Sequence, residues 1–222
     1  MGTSLACIEV YTGGNNAEDT RQAIIQLLTQ SIIADGFLEV PFENVQDLDH
    51  DRILVIGPIS EKPWLTIFDT QGDFRKAAKS ISDATNGTVV FVNLVDSDYV
   101  HLRLYQSGEI IDDYCNRPEI YNSYTPDENW LADWGDLTRD EFAALKTGHP
   151  ERWSELLVDK DQIEAVEEAW LSQPVFSDDI LLTTAKALDM NVDELWNVGL
   201  YPFDDTFTRF AFKLVQPRLY EI

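Results

Sequence analysis

Residues 88–114 read TVVFVNLV-DSD-YVHLRLYQ-SG-EIIDDY, and this stretch decides the fold. Thr88 to Val95 is a β-branched run, and Asp96-Ser97-Asp98 supplies a turn. Tyr99 to Tyr105 then alternates apolar Val100, Leu102 and Leu104 with polar His101 and Arg103. Ser107-Gly108 makes a second turn, and Glu109 to Tyr114 a third strand. Alternation of period two between tight turns marks an antiparallel meander, because successive strand side chains point to opposite faces. Asn86-Gly87 is the turn that leads into it.

Upstream lie two strand–turn–helix units. Leu5 to Tyr11 is strand-like, and Thr12-Gly13-Gly14-Asn15-Asn16 breaks it. A helix follows from about Ala17 with Asn16 as its N-cap, and Ala23, Ile24, Leu27, Leu28 and Ile32 recur at helical spacing. Gly36 ends it. Phe37 to Phe42 and Ile53 to Ile56 are short strands around an acidic loop, Glu43 to Asp51. In the second unit Trp64 to Phe68 is the strand, and Asp73 caps a helix with Phe74, Ala77, Ala78 and Ile81 on one face. The two units read alike, either as an internal duplication or as the ordinary look of a strand–helix step.

Downstream of Cys115-Asn116-Arg117-Pro118 the character changes. Ile120 to Trp134 is turn-rich and aromatic. Thr138 to Glu141 is a capping box opening a helix that Gly148 closes. Further helices are expected at Pro150–Leu157, Asp161–Leu171, Asp178–Leu188 behind a Ser177 cap, and Val192–Val198 behind Asn191. Phe207 to Val215 returns to a strand that pairs back onto the N-terminal sheet or forms a local hairpin. The expected fold is therefore α+β. Residues 1–125 form a mixed or antiparallel sheet with two helices packed on it. Residues 126–222 form an acidic helical subdomain with a terminal strand.

The chain has 222 residues, with 40 Asp+Glu against 16 Lys+Arg and a net charge of −24. Hydrophobic residues make up 44%, including six Trp, which is enough for a core, so the acidity belongs to the surface of a globular fold. Such a surface repels nucleic acid and anionic lipid and attracts basic proteins and cations. Residues 1–110 hold 16 acids and 7 bases, and residues 111–222 hold 24 and 9, so the helical half is the more acidic. Cys7 and Cys115 are too few for a disulfide framework and read as buried thiols. Met1 to Tyr11 has no leader pattern and no run reaches the ~20 apolar residues of a membrane span, so a soluble, cytoplasmic protein is expected.

No motif supplies chemistry outright. Thr12 to Asn16 lacks the phosphate-loop spacing. Asp pairs are frequent, and Asp96, Asp98, Asp112 and Asp113 are the candidates for a Ca²⁺ or Mg²⁺ site, though hairpin turns and strand edges use the same residues. His50, His101 and His149 share no zinc-ligand spacing, and no nucleophile elbow is present. No cofactor is implied. Residues 181–195 resemble the last helices of phage-repressor-type helix-turn-helix domains, but the preceding segment is acidic where DNA binding needs cations. Tyr114, Tyr121, Tyr124, Trp130 and Trp134, with Asp133 and Asp136 beside them, are interface candidates or packing at a junction.

The stretch from Trp64 to Leu188 resembles a group of bacterial proteins of unknown function. The shared residues are Phe68-Asp69, Asp96-Ser97-Asp98, Leu104-Tyr105, Gly108-Glu109, Ile111-Asp112, Tyr114, Pro118 and Tyr121, then Gly148-His149-Pro150 and Phe176 to Leu188. The resemblance implies an α+β sheet domain with a helical tail and brings no activity. The expected function is a non-enzymatic interaction protein that binds a basic partner, as immunity proteins and nucleic-acid mimics do. The alternatives are a divalent-cation binder or carboxylate enzyme built on the Asp pairs, and acidity that serves only solubility or salt adaptation.

Overall fold

A computed structural model describes residues 5–13, 17–42, 51–57, 62–70, 73–118, 144–172, 174, 176–190 and 208–214. Its centre is a sheet of eight strands: β1 (Leu5–Tyr11), β2 (Phe37–Val40), β3 (Asp51–Ile56), β4 (Trp64–Asp69), β5 (Thr88–Val95), β6 (Tyr99–Gln106), β7 (Glu109–Cys115) and β8 (Thr208–Leu214). The order is β2-β8-β3-β4-β1-β5-β6-β7, and every neighbouring pair is antiparallel. The meander of residues 88–114 forms one end as β5-β6-β7. The last strand does not make a local hairpin. It enters the sheet between β2 and β3, with Glu39 opposite Phe212 and Leu54 opposite Phe210.

Turn chemistry sets the meander. Asp96 and Ser97 take φ of 50° and 57°, a left-handed pair whose twist suits a hairpin, and the Asp98 N–H donates to the Val95 carbonyl at 2.8 Å. The β6–β7 hairpin is less regular. Gln106 pairs with Glu109 and Tyr105 with Ile110, but Leu104 pairs with Asp112, because a bulge inserts Ile111.

Alternation along the strands gives the sheet two apolar faces. Ile8, Val10, Leu65, Ile67, Val89, Phe91 and Tyr105 form one core with Ile24, Leu28 and Ile32 of α1 (Ala17–Ala34) and Ala78 and Ile81 of α2 (Phe74–Thr85). Asp73 caps α2 by accepting from the Arg75 and Lys76 N–H groups, and Asn86 at φ 49° closes it. The helices of the two strand–turn–helix units thus share one face, over β1 and β4 paired as Ile8–Ile67. Cys7, Trp64, Val90, Val92, Val100, Leu102, Leu104 and Tyr114 point the other way. They pack against Trp153 and Leu157, Val166 and Trp170 of α3 (Ile163–Leu171), and Ile180, Leu181, Ala185 and Leu188 of α4 (Asp178–Leu188). The helical residues after 143 therefore cover the sheet's second face, and the fold is mixed α+β with helices on both sides.

A 3-10 helix, Pro150–Leu156, stands in place of the α-helix expected over Pro150–Leu157, and a 3-10 turn, Lys160–Gln162, replaces the start of the one expected at 161. Ser177 does sit at the N-cap of α4, but its hydroxyl makes no cap bond. It donates instead to the Asp98 carbonyl at 2.9 Å, tying α4 to the β5–β6 turn. Cys7 and Cys115 are both free and buried, and burial, with Glu9 nearby, pushes the Cys7 thiol well up. Among the described residues no helix is long and apolar enough to cross a membrane.

Candidate functional site

Charge is distributed unevenly between the two helical layers. From Glu151 to Glu168 the chain places Glu151, Glu155, Asp159, Asp161, Glu164, Glu167 and Glu168 in solvent, with Arg152 and Lys160 the cations of that span. The helical pattern explains it: Ile163, Val166 and Trp170 turn inward at i, i+3 and i+7, which leaves the glutamates of α3 outside. Of these acids Glu155 pairs with Lys160 at 3.0 Å, and Asp159 accepts from the Asp161 N–H. On the opposite layer α2 exposes Lys76 and Lys79 and half-exposes Arg75, against Asp73 and Asp83.

Beneath this acidic surface is a histidine held by a buried carboxylate. Asp112 of β7 points into the second core with its side chain 1% exposed. Its Oδ2 accepts the His149 backbone N–H at 3.0 Å and the Trp153 Nε1–H at 2.8 Å, and its Oδ1 lies 2.8 Å from His149 Nδ1. Arg152 Nη1 stands 3.9 Å from the same carboxylate and donates to the Ile111 carbonyl. A carboxylate only accepts, so the imidazole proton sits on Nδ1 and the lone pair on Nε2. The His149 side chain is 40% exposed. An oriented imidazole with an outward lone pair can act as a general base or a ligand donor.

The neighbouring Asp113 does the same on the other face. His101 Nε2 meets its Oδ1 at 2.5 Å, and Arg103 Nε and Nη2 donate to Oδ2 at 3.0 and 2.7 Å. His101, Arg103 and Tyr105 line up on that face of β6 at period two, and the Tyr105 hydroxyl reaches the Arg75 carbonyl of α2. Burial opposes ionisation of Asp113, but its bonds to His101 and Arg103 outweigh burial and hold its pKa down at about 2. At His101 burial outweighs Asp113 and lowers the pKa, which favours the neutral ring. The group is buried under α2 and stays structural: it anchors the helix.

Asp112 and Asp113 therefore face opposite ways, each committed to its own histidine. Asp96 and Asp98 lie in the β5–β6 turn. Among the described residues no three His, Cys, Asp or Glu side chains converge as a metal cluster. Tyr114 is fully buried. It stacks on Trp170 with centroids 4.3 Å apart and donates to the Trp170 carbonyl, so it belongs to packing. Tyr121, Tyr124, Trp130, Asp133, Trp134 and Asp136 lie outside the described residues. Neither histidine–aspartate pair was legible as a site in the sequence: 37 residues separate Asp112 from His149, and a two-residue turn without the bulge would pair Arg103 with Asp112. No protein-family model, curated protein or solved structure matches this chain.

Proposed function

We propose that the chain is a protein-interaction module that binds a basic protein, in the manner of immunity proteins and nucleic-acid mimics, through the surface of Glu151–Glu168. The supporting observation is the sidedness of charge: seven exposed acids against two cations within residues 151–168, and a balanced or basic surface on α2. Acidity that served solubility alone would need no such sidedness. Complementary charge accelerates association and makes it salt-sensitive. Basic proteins captured from lysate on the immobilised chain are expected to elute as salt rises. The triple variant Glu164→Lys, Glu167→Lys, Glu168→Lys is expected to lose them at low salt. Capture that is indifferent to salt, or equal in the variant, removes the proposal.

A second reading, an enzyme, is favoured by the His149–Asp112 pair in place of paired carboxylates. Its base would be His149 Nε2, oriented by Asp112. The test is hydrolysis of p-nitrophenyl acetate compared between the native chain and His149→Gln. Equal rates would leave the pair a structural cap on the 3-10 turn.

A further inference from the structure

The geometry points to a binding pocket for a small organic oxyanion, a carboxylate or phosphate, between the end of β7 and the C-terminus of α3. The cavity holds about 290 Å³. Its lining includes Arg117, Lys146, Asn116, Thr147, Ser172 and the Trp170 ring. Acids outnumber bases 40 to 16 in this chain, yet among the described residues the lining contains two cations and no acid.

Arg117 carries the inference. It is half-buried, and among the described residues it makes no ion pair or hydrogen bond. A cation held partly away from water is unfavourable unless an anion compensates it. The planar guanidinium offers parallel N–H donors that match a carboxylate or phosphate edge. Lys146 stands exposed at the rim as a second charge.

The C-terminus of α3 is the competing explanation, since a helix end attracts cations. That end is worth roughly half a negative charge, and the Ser172 N–H and hydroxyl both donate to the Ala169 carbonyl. The full charge of the Arg117 guanidinium exceeds it. Acids farther away than about 8–10 Å are screened at physiological salt.

One wall is fixed by close packing. Gly148 follows Thr147 at φ +56°, and a Cβ there would lie 2.5 Å from the Trp170 ring, so the backbone at Gly148 rests directly on that indole. Its volume is near the lower end for small-molecule sites, which suits a metabolite-sized anion with a short apolar body against Trp170 and Leu171.

The test is thermal unfolding of the full chain with inorganic phosphate or succinate, each against sodium chloride at equal ionic strength. A probe at ten times its Kd raises Tm by roughly 3–6 °C in a chain of this size. Arg117→Gln is expected to abolish the shift and Lys146→Gln to reduce it. Lys76→Gln, a cation on α2, is expected to keep it. A shift with phosphate alone assigns phosphate esters, and a shift with succinate alone assigns carboxylates. If Arg117→Gln does not fold, Arg117→Lys replaces it, with the charge kept and the fork lost, and is expected to weaken binding at least tenfold by calorimetry. No shift beyond the chloride control with either probe overturns the inference, as does an undiminished shift in the Arg117 variant.

Discussion

Replacing Asp112 separates two roles of one carboxylate. In Asp112→Ala the His149 backbone N–H and the Trp153 Nε1–H both lose their acceptor, and Trp153 is 1% exposed. A buried donor left unmade costs about 1–3 kcal/mol, so the pair predicts a loss of about 2–6 kcal/mol from a total of about 5–15. Asp112→Asn behaves differently. Its amide oxygen can take the place of Oδ2 and keep both of those bonds, while its NH2 group faces His149 Nδ1. Two donors cannot meet, so the imidazole must move its proton from Nδ1 to Nε2. The expected stability loss is only about 1–2 kcal/mol, because charge assistance is lost but no donor is orphaned. Urea unfolding measures the first quantity. Nitrogen-15 shifts of the His149 ring measure the second: the native ring should show a bare Nε2 and the Asn variant a bare Nδ1. An alanine variant within 1 kcal/mol of the native chain, or an Asn variant with the native tautomer, would falsify the geometry of the pair.

Gly148→Ala forces a left-handed alanine and drives its Cβ to 2.5 Å from Trp170, so a loss of about 2–5 kcal/mol is expected in urea unfolding. Acid sensitivity should come in two stages. Burial keeps His101 neutral, so the folded chain binds fewer protons than the unfolded one, and this stability is full above pH ~6.5 and declines below it. Asp113, held near 2, contributes above pH ~3.9, and about 2 kcal/mol is lost as pH falls towards 2. The stability gap between the native chain and Asp113→Asn should therefore narrow by that amount over that range, and a constant gap would contradict the assignment. Asn116→Ala removes the acceptor of the Val100 N–H and the donor to Ser177 Oγ, so amide exchange at Val100 should accelerate about tenfold or more. Neutralising Glu164 and Glu168, which are like charges at i, i+4, should stabilise the chain by about 0.5 kcal/mol while weakening capture of a basic partner.

The antiparallel meander was legible because its information is local: period two, tight turns and a β-branched run fix residues 88–114 without help. The amphipathic faces of α1 and α2, and the spans of α3 and α4, were legible for the same reason. The coverage of both sheet faces was not read, although Val89 to Val92 is an unbroken apolar run, as a strand buried on both sides carries. The slot of β8 could not be read, since nothing in Thr208–Leu214 prefers β3 over another edge. The histidine pairs were hidden by one bulged residue. Ile111 shifts the β7 register, so Asp113 rather than Asp112 meets Arg103, and Asp112 is released to the opposite face. The alternation of Asp112 and Asp113 between strand faces was legible, since adjacency in a strand means divergence, but the histidine that each one meets was not.

The same distinction sharpens the meaning of the net charge. Asp112, Asp113 and Asp69, which takes a bidentate Arg52, are buried and partnered. Asp73 and Asp159 cap helical turns. Asp96 and Asp98 occupy a hairpin turn. These acids would be needed in a protein of any net charge. Glu164, Glu167 and Glu168 differ. They crowd one short helix, two of them at i, i+4. No base occupies its last turn, where a helix dipole favours one. Glu164 in the first turn suits the helix dipole, but Glu167 and Glu168 lie towards the wrong end, and the like-charge i, i+4 pair costs a few tenths of a kcal/mol. A surface that is mildly unfavourable in the free chain, and carried on the layer opposite the cations of α2, is what a basic partner would relieve on binding. Acids without a structural task thus gather on the outer face of α3, at Glu167 and Glu168, and that is where an interface is to be sought.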